Sequence, residues 1–426
     1  MFRILCGLIL NLCLGVSASA AGADAATAQL IKDMGLREAK APISTSRVWH
    51  KPRRIVVTML DRQKASKPNA VEWLKQVAGE AEIVVATSRE VPAAQLEGAD
   101  VLLGYCTHEN LRNGKELRYI LNYSAGVDNC VSSPLVSTRE ILVTNMQRIY
   151  GPGIAEHVIG MMYTLTRKLY VFRDQQREQQ WDRAAVERTS MQEVQGRTLL
   201  VAGLGGIGTE VARRAHGLGM IVLATRNSSR AGPDFVAYVG LSDELHELAG
   251  QADVVVNATP LTPETTGLFD RRFFHSMKPG AYFINVGRGR SVVTADIIEA
   301  LNSERIGGAA LDVTDPEPLP PNHPLWTAKN IFITPHISAS SDEQMGRYWL
   351  VVRENLRRYV NGERMLSSKL ILNTLGPCEF VVTRMLVSAS NTSFDTGIGT
   401  AGPIINVKLM PLYIVWSWNP FGQCDA

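Results

Sequence analysis

The chain has 426 residues, of which 45% are hydrophobic and 20% charged, a composition typical of a globular protein with room for two or three domains. Its 44 basic and 41 acidic side chains give a formal net charge of +3. So small and dispersed an excess excludes a dominant nucleic-acid-binding surface, and no nucleic-acid partner is expected.

The first twenty residues differ from the rest of the chain. Arg3 precedes an apolar run at 4–16, and Ala18-Ser19-Ala20 follows, which is the pattern of a secretory signal peptide and its cleavage site. The run is too short to span a bilayer. We therefore predict a signal peptide at 1–20, a periplasmic or secreted protein, and no membrane span in the mature chain. The alternative is a wrongly assigned start codon upstream of a cytoplasmic enzyme.

The cysteines do not suggest a metal site. Two of the six lie in the predicted signal, and the others are scattered without metal-ligand spacing, at Cys106, Cys130, Cys378 and Cys424. Neither a bound metal nor a disulfide framework is predicted. Cys106 and Cys130 are expected to be small buried hydrophobic residues.

Short β-branched runs alternate with helical patterns from Arg54 onward, after a linker or loosely attached arm at 21–50. This alternation favours parallel βαβ units. Strands are predicted at 55–59, 81–86, 101–103, 119–123 and 141–144. They would form a substrate-binding domain of residues 50–152, completed by a return segment at 338–366.

A second series of strands follows a helical pattern at 155–170. It comprises residues 198–202, 221–225, 254–257, 281–286, 309–313 and 331–334. The spacing is typical of a six-stranded doubly wound sheet. We predict an α/β protein with two Rossmann-like parallel-sheet domains flanking a cleft, the second covering 153–337. Residues 367–426 form a tail of unknown role.

A glycine-rich turn follows the strand predicted at 198–202. Gly203, Gly205 and Gly208 have the G-x-G-x-x-G spacing and open an amphipathic helix. The first glycine permits a tight turn, the second lets a pyrophosphate approach, and the third lets helix and strand pack closely. Gly206 and Ile207 are expected to lie beside the same pyrophosphate. This context predicts a dinucleotide-binding domain.

An arginine stands where such domains usually place an acidic residue. Arg226 directly follows the strand predicted at 221–225, and Ser228, Ser229 and Arg230 come after it. A carboxylate there would bind the ribose hydroxyls of NAD, whereas a guanidinium suits the 2′-phosphate of NADP. We predict that NADP is favoured over NAD. The alternative is that Arg226 stacks on adenine and both cofactors bind.

Three charged residues follow three other predicted strands. Arg288 lies in NVGRG, Glu317 in LDVTDPEP and His336 in TPHI. Because ligands of open α/β sheets bind at the carboxyl ends of the strands, these side chains are expected to converge. Singly, each could be an ordinary surface charge or capping group.

Together these motifs resemble the D-isomer-specific 2-hydroxyacid dehydrogenase family, in particular its glyoxylate/hydroxypyruvate reductases, over residues 54–365. The resemblance is carried by YSAGVDN, AEHVIGMM, GLGGIG, NATPLTPETTG, NVGRG, GGAALDVTDPEP and TPHIS. It implies a reversible, NAD(P)H-dependent reduction of a small 2-oxo acid to a D-2-hydroxy acid. It also implies that Arg288, Glu317 and His336 are the catalytic set.

The chemistry suits these three residue types. His336 would donate the proton, because imidazolium titrates nearest to working pH. Glu317 would orient and stabilise that imidazolium. The planar guanidinium of Arg288 would bind the carboxylate and carbonyl of the substrate.

The resemblance implies further contacts. The N–H groups near Ala125 and Gly126 would receive the substrate carboxylate. Asp312 would accept from the carboxamide of the nicotinamide, although a buried aspartate at a strand end could simply cap a neighbouring helix. The other positions expected beside the nicotinamide are Thr259, Pro260, Thr265, Val286 and Gly287.

The helix at 155–170 and the following arm with Trp181 resemble the family's dimer contact, so a homodimer is expected. The family also includes a transcriptional corepressor. The alternative function is therefore a catalytically weak NAD(P)-sensing interaction protein of the same fold.

Overall fold

The computed structural model describes residues 23–185 and 190–366. The predicted signal peptide and its cleavage site, Cys378, Cys424 and the tail at 367–426 lie outside the described residues. Both predicted sheets lie within them.

The first sheet has five parallel strands in the order β2-β1-β3-β4-β5. All five predicted strands are present, and β3, β4 and β5 are buried throughout. Continuous apolar runs suit parallel strands that are covered on both faces. The strands are β1 (Arg54–Thr58), β2 (Glu82–Ala86), β3 (Val101–Gly104), β4 (Tyr119–Asn122) and β5 (Leu142–Asn145).

Short helices connect these strands, and one helix precedes them. In chain order they are α1 (Ala25–Asp33), α2 (Asp61–Ser66), α3 (Ala70–Lys75), α4 (Ala93–Leu96), α5 (His108–Asn113), α6 (Asp128–Val131) and α7 (Pro134–Thr138). Thr107 caps α5 by accepting from the N–H of Asn110 at 3.1 Å, a common way to satisfy a free N–H group at a helix start.

The second sheet has seven parallel strands, where the sequence predicts six. Its order is β12-β11-β10-β9-β6-β7-β8. The additional strand has three residues and pairs with β7 at the sheet edge, too short for a periodic signal. The strands are β6 (Thr198–Ala202), β7 (Ile221–Thr225), β8 (Tyr238–Gly240), β9 (Val254–Asn257), β10 (Tyr282–Asn285), β11 (Gly308–Leu311) and β12 (Ile331–Ile333).

The helices of the second half are α8 (Gly151–Thr166), α9 (Leu169–Arg177), α10 (Gly206–Gly217), α11 (Leu245–Ala249), α12 (Arg271–Ser276), α13 (Thr294–Asn302) and α14 (Gln344–Val360). Buried phenylalanines, including Phe269, Phe273 and Phe283, form the centre of the core on one face of the second sheet. Helix α14 lies against α2 and α3 of the first half, and the return segment at 338–366 stays a prediction. The domain division itself stays a prediction.

The N-terminal arm is not loosely attached, contrary to the expectation for 21–50. Helix α1 packs on α14, and Glu38 pairs with Arg358 at 2.7 Å. The N–H of Ala39 donates to the carbonyl of Met365 at 2.8 Å. Local composition suggested a linker because these partners lie more than 300 residues away along the chain.

Cys106 and Cys130 form a disulfide, which corrects the prediction of two free buried thiols. Cys106 follows β3, and Cys130 lies in α6, which follows the neighbouring strand β4. The parallel pairing of these strands places the two Cα atoms 5.4 Å apart. The sequence separation of 24 residues alone gave no sign of this.

Within residues 23–185 and 190–366, no helix is long and apolar enough to cross a membrane. The same residues contain no group of three or more His, Cys, Asp or Glu side chains arranged to hold a metal ion.

Candidate active site

Glu317 and His336 are in direct contact at the carboxyl edge of the second sheet. Nδ1 of His336 lies 2.5 Å from Oε1 of Glu317. A carboxylate can only accept, so Nδ1 carries the proton and Nε2 is the nitrogen that can exchange one with a substrate. Both side chains are partly open, at 49% and 41% exposure respectively. The pair can therefore act on a molecule entering from solvent.

The buried carboxylate of Asp312 builds the turn that carries His336. Its Oδ1 accepts from the N–H of Ile337 at 2.9 Å, and its Oδ2 from the N–H of Ser338 at 3.1 Å. Burial opposes the charged form, but hydrogen bonds from Ser338, Thr334 and Ile337 outweigh it and lower the pKa of Asp312. These N–H groups belong to a turn and not to a helix, since α14 begins at Gln344. Asp312 therefore does not cap a helix here, and its contact with the carboxamide stays a prediction.

A further hydrogen-bond chain ties this turn to α8. The hydroxyl of Thr334 donates to Asp312 at 2.6 Å and therefore accepts from Nε2 of His157, 3.0 Å away. The backbone N–H of His336 also donates to the Asp312 carbonyl at 2.8 Å. His336 itself has φ 52°, in the left-handed region. Hydrogen bonds centred on the buried Asp312 therefore support the turn that carries the exposed imidazole.

Arg288 reaches from the second sheet to the loop after β4. Its Nε donates to Oδ2 of Asp128 at 2.7 Å. Its guanidinium covers Gly126, where a Cβ atom would lie 1.5 Å from Nη2. Arg288 is 30% exposed and is not hydrogen-bonded to the Glu317–His336 pair. The structure thus brings two of the three predicted catalytic residues together and places the third on the predicted substrate loop.

Asparagine side chains shape that loop. Asn145 donates to the carbonyl of Ala125 at 2.5 Å, and Asn122 donates to the carbonyl of Gly126 at 2.8 Å. Within the described part of the chain, the N–H groups of Ala125 and Gly126 donate no hydrogen bond. Two free N–H groups beside a guanidinium can receive a carboxylate.

The glycine-rich turn between β6 and α10 has the geometry that a dinucleotide needs. Gly203 has φ 95°, and a Cβ on Gly208 would lie 2.2 Å from the Gly203 carbonyl, so both positions require glycine. A Cβ on Gly205 would meet nothing within 4 Å, which leaves that side open to a ligand. Gly206 begins α10, and Ile207 is half-buried behind it. A pyrophosphate fits the helix N-terminus here.

The structure separates the two arginines predicted to bind the 2′-phosphate. Arg226 directly follows β7 and donates to the carbonyl of Ala231 at 2.8 Å. Arg230 instead pairs with Glu244 at 2.7 Å and donates to the hydroxyl of Tyr238 at 2.8 Å. Glu244 thus neutralises Arg230, whereas Arg226 forms no ion pair with a carboxylate of the described residues.

The expected nicotinamide-side positions pack together at the ends of β9 and β10. The hydroxyl of Thr265 donates to the carbonyl of Pro260 at 2.7 Å, and the hydroxyl of Thr259 donates to Asn257 at 2.8 Å. A Cβ on Gly287 would lie 2.9 Å from the Thr259 carbonyl. Val286, which is buried, precedes that glycine.

Sequence reasoning missed several residues that organise this site. Asn257 donates to Asn285 at 2.9 Å and to Ser291 at 2.7 Å, entirely in the interior. The available signal was an asparagine ending each of two apolar strands. Asp128 was part of a quoted motif but received no role, because its partner Arg288 is 160 residues away.

Comparison with known proteins shows similarity to 2-hydroxyacid dehydrogenases. Residues 159–338 match the family described as D-isomer specific 2-hydroxyacid dehydrogenase, NAD binding domain. The chain is 32% identical to a glyoxylate reductase of Thermofilum pendens over 65% of this chain and 83% of that protein. It is 30% identical to a D-3-phosphoglycerate dehydrogenase of Methanocaldococcus jannaschii over 69% of this chain, but spans 56% of that longer relative.

A solved structure has the same fold. It is a D-isomer specific 2-hydroxyacid dehydrogenase from Xanthobacter autotrophicus Py2 in complex with NADPH and MES. The two chains are 25% identical with a TM-score of 0.62, covering 75% of this chain and 98% of the other. This similarity agrees with the predicted pair of Rossmann-like parallel sheets.

Proposed function

The chain belongs to the D-isomer-specific 2-hydroxyacid dehydrogenase family, and we propose that it reduces a small 2-oxo acid to the D-2-hydroxy acid with NADPH. It is accordingly an NAD(P)-dependent oxidoreductase acting on CH–OH donors. The observation that carries the specific reaction is the 2.5 Å contact between Glu317 and His336. An acid and its carboxylate partner at the cleft edge are the groups that a carbonyl reduction requires.

In the proposed reaction, the bound nicotinamide supplies the hydride to the carbonyl carbon. His336 gives its Nε2 proton to the carbonyl oxygen, while Glu317 stabilises the imidazolium before transfer. Arg288 and the free N–H groups of Ala125 and Gly126 hold the carboxylate. In the reverse direction neutral His336 takes the proton from the hydroxyl group.

We propose that Arg226 gives the preference for NADPH. It directly follows β7, and a guanidinium there attracts a phosphate that a carboxylate would repel. The related enzyme from Xanthobacter autotrophicus Py2 was solved with NADPH. In this proposal NAD remains a weaker cofactor.

We also propose a homodimer. Helix α9 has no buried residue. Leu169 on it is 51% exposed, and Trp181 in the following arm is 94% exposed. Apolar surface of this kind is usually covered by a partner. Light scattering should give twice the monomer mass, and a monomeric mass would count against the proposal.

Export from the cytoplasm gains support from the Cys106–Cys130 disulfide. Disulfides persist in oxidising compartments and are rare in reducing ones. We therefore retain a periplasmic or secreted location as a proposal. Sequencing the N-terminus of protein from its native host tests it: a chain starting at Ala21 is expected, and an intact Met1 would contradict it.

The enzymatic proposal is tested by turnover. Purified wild-type protein is assayed with NADPH and NADH against glyoxylate, hydroxypyruvate, pyruvate and phenylpyruvate. His336→Gln is the test variant, and His275→Gln, at an exposed histidine, is its matched control. His336→Gln should lower kcat by about 10²- to 10⁴-fold, since general acid catalysis contributes on that order. His275→Gln should match the wild type. Absence of reduction in the wild type would instead favour the NAD(P)-sensing alternative.

A further inference from the structure

Arg148 lies over the glycine-rich turn, between β5 and α8. A Cβ on Gly206 would come within 2.7 Å of Cγ of Arg148. Glycine at 206 therefore makes room for the Arg148 side chain at the start of α10. Burial and the charges of Arg37 and Arg226 together lower the pKa of Arg148. The guanidinium groups of Arg37 and Arg226 thus both lie close enough to Arg148 to act on its charge.

These three arginines, here called the arginine cluster, lack acidic partners. Arg148 donates a single hydrogen bond, to the Met34 carbonyl at 3.5 Å, and Arg226 donates to the Ala231 carbonyl. Across residues 23–185 and 190–366, no carboxylate forms an ion pair with any of the three. Glu210 acts on Arg148 but is itself bound to Arg214 at 2.7 Å.

The backbone of Arg148 supports a functional reason for its presence. Its φ of 70° lies in the left-handed region, which favours glycine. Residues held there against their preference concentrate at binding and catalytic sites. Arginine at this position combines a left-handed backbone with a location near two other guanidinium groups.

The N-terminal arm places Arg37 near Arg148. Gly35, with φ 56°, ends the turn after α1. A Cβ atom added to Gly35 would lie 3.5 Å from Nη1 of Arg148. Two residues beyond Arg37, Ala39 is bonded to Met365. The exposed side chain of Arg37 is thus carried by a segment anchored on both sides.

We propose that Arg37 and Arg148, together with Arg226, bind a phosphate group of the dinucleotide, so that the N-terminal arm is part of the cofactor site. The inference rests on the proposed function for the identity of the ligand. The cluster adjoins the N-terminus of α10, whose dipole adds positive potential. A phosphate neutralises such a cluster by charge-assisted hydrogen bonds. The 2′-phosphate and the pyrophosphate share this chemistry.

The test measures the affinity of the full chain for NADPH, NADH, 2′,5′-ADP and ADP by calorimetry. Arg148→Gly removes the guanidinium and suits the left-handed backbone, and Arg37→Gln alters an exposed side chain. Arg272→Gln on α12, also exposed, is the matched control. We expect losses of about tenfold for Arg148→Gly and about threefold for Arg37→Gln. The control should leave all four affinities unchanged, and the melting temperature of Arg148→Gly should not fall.

The four ligands distinguish binding of the 2′-phosphate from binding of the pyrophosphate. Losses confined to NADPH and 2′,5′-ADP assign the cluster to the 2′-phosphate. Equal losses for NADPH, NADH and ADP, which share a pyrophosphate that 2′,5′-ADP lacks, assign it to the pyrophosphate. Unchanged affinities in both variants would overturn the inference. So would a lower melting temperature in Arg148→Gly combined with unchanged binding in Arg37→Gln, since that outcome indicates a structural role. Wild-type protein that binds NADH as tightly as NADPH would contradict the proposed preference, while the ADP titrations would still test the cluster.

Discussion

Nε of Arg288 donates to Oδ2 of Asp128 at 2.7 Å, which joins the carboxyl edge of the second sheet to the loop that follows β4. Asp128 thereby turns Nη2 of Arg288 toward Gly126, beside the two free N–H groups of that loop. The guanidinium proposed to bind the substrate is held in place by the carboxylate of the first residue of α6, which follows β4 of the first sheet. This makes Asp128 a positioning residue.

Asp128→Ala should raise KM for the 2-oxo acid by about tenfold, equivalent to about 1.4 kcal/mol, while kcat changes less. The physical reason is that Arg288 loses the charge-assisted bond that orients it. Asp128→Asn, which keeps an acceptor oxygen, should retain more of the affinity. Steady-state kinetics on both variants checks the split. A fall in kcat with unchanged KM would contradict the positioning role, and Glu109→Ala on α5 serves as control.

Glu317→Gln should lower kcat by about tenfold, or about 1.4 kcal/mol in the activation free energy. The N–H at Nδ1 of His336 donates to a carboxylate in the wild type, and a neutral amide oxygen would accept a weaker hydrogen bond and orient the imidazole less firmly. Steady-state kinetics on the wild type and the variant provide the measurement. An unchanged kcat would remove Glu317 from the proposed mechanism.

Arg226→Asp should shift the kcat/KM ratio toward NADH by at least about tenfold, or about 1.4 kcal/mol of differential transition-state binding. A carboxylate at this position repels the 2′-phosphate and can bind the ribose hydroxyls. Arg230→Gln is the control variant, because Glu244 already neutralises Arg230. That variant should move the ratio much less. An Arg226→Asp enzyme with the wild-type ratio would favour the alternative of adenine stacking.

Cys106→Ala together with Cys130→Ala should lower the free energy of unfolding by about 2–4 kcal/mol, as removal of a native disulfide typically does. Urea unfolding under oxidising conditions measures the difference. Reductant should destabilise the wild type and leave the double variant unchanged. Equal sensitivity of both proteins to reductant would show that this disulfide does not form in solution.

Much of the fold followed from local patterns. Apolar β-branched runs predicted eleven of the twelve strands, because a buried parallel strand needs a continuous apolar stretch whatever surrounds it. Gly203 and Gly208 were identified from spacing alone, since a positive φ and a Cβ clash are local demands of the turn. The pairing of Glu317 with His336 was also predicted from the sequence. Parallel strands carry their carboxyl ends to one edge regardless of the residues between them.

The tertiary structure decided which distant side chains meet. Asp128 with Arg288, Cys106 with Cys130, and the arginine cluster each join segments whose separation along the chain carries no spacing signal. Neutralisation of Arg230 by Glu244 likewise could not be read from composition. Local sequence determines the periodicity, turns and strand ends of each element. Contacts between elements depend on how the sheets and helices pack, and that packing is a property of the whole chain.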